Sequence, residues 1–318
     1  MADASLDWTF GGEWPFPPRY AQTPDGRVHY VHEGPPDGAP VVMLHGNPTW
    51  AFLYRRAIGP LAGEGRRVIV PDVLGFGRSG KPPRPEPSSI ESHIRRMEEL
   101  LDCLEVPSPY LIAHDWGAPI LLGWAARQAL LPERVLLMNT FPPLLPGPVG
   151  IHHRNRMLRA PLVGETLFLR LNAMTRAFLF GAGTRRASAL SPEVRRAYTQ
   201  PHPDRASRTA TLAFPRQIPS RPSDPAARLS QEIHAWLTGV AGHVPIHLLW
   251  GTKDPLFGPS TLKAWRQALP SATFELLTEA SHYVMEDEPD AAVRALISFL
   301  AVPGPPAPSP SASRSPAP

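Results

Sequence analysis

The chain has 318 residues, 42% of them hydrophobic, enough for one large α/β domain with an insertion or for two small domains. It holds no run of about 18 uncharged apolar residues, so no transmembrane helix is expected, and its acidic start, MADASLDWTFGGEW, lacks a basic-then-apolar leader. The net charge of +4 is dispersed, comes with no zinc spacing or nucleic-acid motif, and gives no reason to expect a nucleic-acid partner. A single cysteine, Cys103, excludes an internal disulfide and is expected to pack within a helical run. The cytoplasm is the expected compartment.

In chain order, an N-terminal extension (1–18) precedes GRVHYVHEG, whose alternation predicts antiparallel edge strands. Short apolar runs then recur: PVVMLHG (40–46), RRVIVPD (66–72), PYLIAHD (109–115), RVLLMN (134–139), PIHLLWG (245–251) and TFELL (273–277). Near-continuous apolar strands are buried on both faces, which predicts a mostly parallel sheet with helices on either side. Helical spacing lies between them, most clearly in PDAAVRALISFL, where Ala292, Val293, Leu296, Ile297 and Leu300 share a face behind Pro289.

The rhythm breaks once. From Asn139 to Pro245 lie 107 residues, whereas a strand-helix-strand unit takes roughly 30 or more. The surplus carries helical apolar spacing, as in LVGETLFLRLNAMTRAFLF, and predicts a helical cap inserted after the sixth strand. The expected organisation is an α/β-hydrolase-like core over 19–140, a cap over 141–240, a return to the core over 241–301, and a Pro/Ser/Ala-rich tail or linker over 302–318. Residues 151–230 hold many arginines against few acids, which reads as a solvated face.

Active sites of open parallel sheets form at the carboxyl ends of the strands. The residues expected there are His45-Gly46-Asn47-Pro48-Thr49-Trp50, Asp115-Trp116, Asn139-Thr140, Asp254 in WGTKDP, and His282 in EASHYVMED. LIAHDWGAPILLGW has the layout of a nucleophile elbow, a strand and a tight turn between small residues before a helix, with Asp where Ser is better known. Helix capping is the alternative task for Asp115. The order nucleophile, acid, histidine over 115, 254 and 282 is that of α/β-hydrolases and favours catalysis. His114 is expected to point away and pack, His45 to matter through its backbone, and Asp287 to lie near the start of the last helix. The pair His152-His153 has no further ligands at metal spacing, so no metal is expected.

The segments HGNPTW, DVLGFGRSGKP, HDWGAP, WGTKDPLF and SHYVMED resemble the haloalkane dehalogenase family over nearly all of residues 20–300. The combination of Asn47, an acid after a later strand and His-Tyr-Val-x-Glu-Asp is similar to that family's third subfamily, which includes the olefin-biosynthesis β-lactone decarboxylases. Two departures, Ala118 and Ser281 at positions where the family usually has Gly, exchange small for small. The resemblance implies an α/β-hydrolase fold, no cofactor, and an Asp115–His282–Asp254 triad.

A carboxylate attacking an sp³ carbon makes an ester that water can later cleave, whereas a Ser alkoxide would leave an inert ether. His282, oriented by Asp254, is the expected base for that water. Backbone N–H groups of Asn47 and Trp116 are the expected oxyanion hole, and their side-chain amide and indole the expected donors to the leaving anion. A halide needs no proton. An epoxide's alkoxide does, and epoxide hydrolases resemble one another in taking it from paired cap tyrosines; this cap has only Tyr198. Haloalkane dehalogenation is therefore the expected activity and epoxide hydrolysis is disfavoured. β-Lactone decarboxylation stays open, because a lactone also expels an anion. A ligand-binding protein on this fold is expected to lose a triad member, and none is missing. The expected partner is a small apolar substrate; a homo-oligomer or a neighbouring pathway enzyme stays open.

Overall fold

The computed structural model describes residues 6–82, 88–142, 160, 162–219 and 221–301. His152-His153, several cap arginines and the tail lie outside them. Among the described residues the strands are β1 (Arg19–Thr23), β2 (Gly26–Glu33), β3 (Pro40–Leu44), β4 (Arg67–Pro71), β5 (Tyr110–His114), β6 (Arg134–Met138), β7 (Ile246–Gly251) and β8 (Thr273–Leu277). They form one sheet in the order β1-β2-β4-β3-β5-β6-β7-β8. The pairs β1–β2 and β2–β4 are antiparallel, as the alternating GRVHYVHEG predicts; the other pairs are parallel.

The helices are α1 (Arg55–Gly63), α2 (Ile90–Cys103), α3 (Gly117–Arg127), α4 (Pro192–Thr199), α5 (Thr209–Arg216), α6 (Pro225–Val240), α7 (Pro259–Ala268), α8 (Val284–Asp287) and α9 (Pro289–Ala301). The sheet separates two apolar cores. One joins Val42, Leu44 and Leu137 to α2, α3, α6 and α7; the other joins Val41, Met43 and Leu136 to α1 and α9. Successive side chains of each central strand feed opposite cores, which is why these runs are apolar throughout. On α9, Ala292, Leu296 and Leu300 are buried while Val293 and Ile297 pack half-buried at the edge. Cys103, expected to pack, ends α2 exposed.

The insertion follows β6. Two stretches in it, Glu165–Arg170 and Met174–Ala182, form π-helix rather than the α-helix their spacing predicts. Bonds such as Leu171 N–H to Thr166 O (3.0 Å) and Gly183 N–H to Phe178 O (2.8 Å) span five residues. α6 falls inside the span 141–240 read as cap, yet it lies along α3, with Leu229, Ile233 and Leu237 in the main core.

Candidate active site

Asp115 follows β5 with φ of +50°, a left-handed conformation that a non-glycine residue holds only when its surroundings impose it. Small neighbours allow the turn. A Cβ on Gly117 would overlap the carbonyl oxygen of Leu44, and one on Gly46 would overlap the Asp115 carboxylate. Thr140 Oγ1 donates to the Asp115 carbonyl at 2.6 Å and fixes the elbow from the end of β6. The carboxylate does not cap α3. Its Oδ1 accepts the backbone N–H of Asn47 at 2.9 Å, and the Trp116 N–H acts on it as well.

His282, in the loop after β8, brings Nε2 to 3.7 Å from Asp115 Oδ2 and Nδ1 to 2.8 Å from Asp254 Oδ2. Asp254 is itself held: Oδ1 accepts from Leu256 N–H at 2.7 Å and Phe257 N–H at 3.2 Å, and Oδ2 accepts from Asn139 Nδ2 at 2.8 Å. The structure thus brings together Asp115, Asp254 and His282 from three separate strand ends.

Burial raises the Asp115 pKa to about 6, even though His282 and the two N–H donors favour its carboxylate. Burial also opposes ionisation of Asp254, but His282 and the N–H donors outweigh it, and its pKa ends below the usual range. His282 goes the other way. Burial disfavours its cation, yet Asp254 and Asp115 together push its pKa upward. The two carboxylates on either side of the imidazole are thus pushed in opposite directions, Asp115 up and Asp254 down.

Asn47 and Trp116 stand beside Asp115. Asn47 Nδ2 donates to Thr211 O of α5 at 2.9 Å, so one of its two amide hydrogens is committed to the insertion and one remains. Its Oδ1 is buried with no hydrogen-bond partner among the described residues, as is His282 Nε2. The Trp116 ring lies 4.5 Å from Phe141 and 5.0 Å from Phe214, and its indole N–H has no hydrogen-bond partner among the described residues. Behind this wall an open apolar cleft is lined by residues including Leu122, Leu229, Ile233 and Trp265.

Several supporting residues escape sequence reasoning. His114 faces His282: its Nε2 donates to the His282 carbonyl at 2.9 Å, and burial keeps the ring neutral. Tyr283 donates its hydroxyl to Asn47 O at 3.1 Å. Both ring nitrogens of His45 brace the HGN turn, since Nδ1 meets Gly46 O and Nε2 accepts Val73 N–H, each at 2.9 Å; the ring matters, not only the backbone. Asp287 ends α8 and accepts the backbone N–H groups of Ser281 (2.7 Å) and Arg186 (2.9 Å), fastening the His282 loop to the insertion. Asn139 is visible in the sequence as a strand-end residue; its bond to Asp254 depends on a tertiary meeting that spacing does not encode. Tyr198 gives its hydroxyl to Glu286 and is held there rather than at Asp115.

Residues 39–289 match the family model described as alpha/beta hydrolase fold, and the chain belongs to that family. Within it, the chain is homologous to haloalkane dehalogenases and β-lactone decarboxylases. It is 34% identical over 299 residues to the cis-3-alkyl-4-alkyloxetan-2-one decarboxylase of Xanthomonas campestris pv. campestris, covering 89% of this chain and 95% of that protein. It is 33% identical over 295 residues to the haloalkane dehalogenase of Mycobacterium marinum, covering 90% and 94%. The crystal structure of haloalkane dehalogenase DbeA from Bradyrhizobium elkani superposes with a TM-score of 0.79 at 29% identity, covering 90% and 98%.

Proposed function

We propose that this enzyme displaces an anionic leaving group from an sp³ carbon of an apolar substrate, with Asp115 as nucleophile, and that its activity is haloalkane dehalogenation. The observation that carries this reading is the line of contacts Asp115 Oδ2 to His282 Nε2 (3.7 Å) and His282 Nδ1 to Asp254 Oδ2 (2.8 Å), in a site with a neutral indole donor. An Asp115 oxygen attacks the carbon, and the C–halogen electron pair leaves with the halide, held by the Trp116 indole N–H and the remaining Asn47 amide hydrogen. Water then gives a proton to His282 Nε2 and adds to the Asp115 carboxyl carbon, with backbone N–H groups of Asn47 and Trp116 receiving the negative charge. The ester's alkyl oxygen leaves as alcohol, taking the proton back from His282, and the Asp115 carboxylic acid left behind loses its own proton to solvent, which restores the carboxylate. The unpartnered His282 Nε2 and Asn47 Oδ1 are the two acceptors such a water can satisfy. The flanking apolar cleft supports an uncharged alkyl substituent.

A second reading is favoured by the relative named as a decarboxylase over 95% of its length. Attack by Asp115 on the alkyl carbon of a β-lactone breaks the ring C–O bond and frees a carboxylate. Loss of CO₂ then forms the C=C bond and expels the Asp115 carboxylate, with no water consumed. One variant separates the two. His282→Ala offered a 1-haloalkane should release one equivalent of halide and hold a stable alkyl adduct on Asp115 by intact mass, whereas Asp115→Asn should form none. Unmodified His282→Ala protein under conditions where the wild type turns over would sink the two-step dehalogenase scheme. Continued alkene release by the same variant from a cis-β-lactone would favour the second reading.

A further inference from the structure

The two π-helical stretches of the insertion differ in what they meet. Inward, Phe178 lies 5.5 Å from the His282 ring and 5.9 Å from Tyr283, directly against the site. Leu162, Val163, Thr166, Arg170 and Leu171, in and beside the first stretch, are exposed. Leu162 is 78% exposed, Leu171 58% and Val163 38%. Beyond them, Arg176 and Ala177 are exposed on the next π-helical stretch.

The charge on this segment of the insertion has one sign. Residues 162–219 hold nine arginines and three acids, a net of +6 with histidines neutral. Of the acids, Glu165 pairs with Arg216 at 2.5 Å, and Asp204 is occupied by the Ser207 backbone N–H at 2.9 Å. Arg170, Arg176, Arg185 and Arg205 have no acidic partner among the described residues. A solvated arginine face accounts for the charge but not for leucines set among it.

We infer that this outer face docks on the surface of an anionic phospholipid bilayer. Leucines among unpaired arginines suit a headgroup layer, where apolar side chains enter the acyl boundary and guanidinium groups meet phosphates. An acidic protein surface would meet the arginines but gives the exposed leucines no apolar phase to enter. Such docking is independent of the proposed reaction, and vesicle binding reads it without turnover.

The test is co-sedimentation of the full chain with phosphatidylcholine vesicles and with vesicles also containing phosphatidylglycerol. The wild type should bind only the anionic vesicles, and raising salt from about 0.1 to 1 M, which cuts the screening length from about 10 to 3 Å, should release it. Each surface arginine is worth about fivefold in such binding, so R170E with R176E should weaken it by at least about 25-fold. L162S with L171S should also weaken it, while leaving melting temperature and turnover of a water-soluble substrate unchanged. Equal binding to both vesicle types, no binding to either at low salt, or wild-type binding by the charge-reversed variant would overturn the inference. So would light scattering showing that the two leucines instead hold a dimer together.

Discussion

The insertion has two segments that are attached to the core by different physics. α4 and α5 are held by buried polar groups: Trp50 Nε1 donates to Ala197 O at 2.9 Å, Asn47 Nδ2 to Thr211 O at 2.9 Å, and Tyr198 to Glu286. Their apolar residues belong to the main cores, Ala197 and Tyr198 to one and Ala210 and Phe214 to the other. The π-helical stretch 165–170 instead rests on a small satellite cluster of Phe168, Leu169 and Leu212. The stretch 174–182 sends Leu179 into the core of α1 and α9, and its hydrogen bonds to the core lie at its end, where Ser281 Oγ donates to Ala182 O at 3.0 Å and Tyr283 N–H to Gly183 O at 3.1 Å. Buried hydrogen bonds fix α4 and α5 as a wall of the site. The stretch 165–170, resting on a satellite cluster, is the more weakly attached of the two.

The sharpest break in that contrast is Glu286→Ala. Arg55 Nη2 donates to Glu286 Oε2 at 2.9 Å, and both side chains are almost wholly buried beneath α4. Removing the carboxylate leaves a buried guanidinium with only the half-exposed Glu13, at 3.2 Å, as a charge partner. Such losses cost about 3–5 kcal/mol, which urea unfolding should show as a lower midpoint. A cost below about 1 kcal/mol would mean that α4 is not held by this pair.

Gly46→Ala should act on activity. The added methyl group displaces the Asp115 carboxylate from the Asn47 N–H, and misplacement of a nucleophile by about 1 Å costs on the order of 100-fold. Tyr198→Phe is gentler. It removes one of three donors to Glu286, so stability should fall by about 1–2 kcal/mol while the alkylation step is unchanged. A large loss in that step would return Tyr198 to the proton-donor task of an epoxide hydrolase.

Acid should slow the first chemical step before it unfolds the wall. With an Asp115 pKa of about 6, the carboxylate dominates above that pH and is lost below it. Single-turnover alkylation should therefore be flat toward neutral pH and fall about tenfold per unit below pH 6. A limb that starts only near the ordinary value of 3.8 would show the carboxylate to be solvated.

Much of this is legible in the sequence because it is local. Apolar strands buried on both faces are continuous runs, and an elbow must have small residues at Ala113 and Gly117 around Asp115. The strand ends at 115, 254 and 282 can be ordered because a parallel sheet puts them all on one edge. What escapes is what only packing decides. His114 follows the rule that a neighbour points away from the nucleophile, yet the histidine loop folds back to meet it. The π-helix shows the same limit: apolar spacing of four fits either helix, and nothing in the spacing marks Phe178 and Leu179 as the residues that reach the His282 loop and α4.

The smallest effect expected is at the outer face itself. Arg170, Arg176 and Leu162 are exposed, and no buried partner is lost when they change. Arg170→Ala, Arg176→Ala and Leu162→Ser should each leave stability within about 0.5 kcal/mol of the wild type, against several for Glu286→Ala. If the stretch is a free surface, the three changes together should add without coupling, since none of these side chains shares a partner. A triple variant destabilised by more than about 1.5 kcal/mol would mean that the face is packed against something within the chain. The two segments of the insertion would then be held alike, and the difference in their attachment, on which the docking inference stands, would be gone.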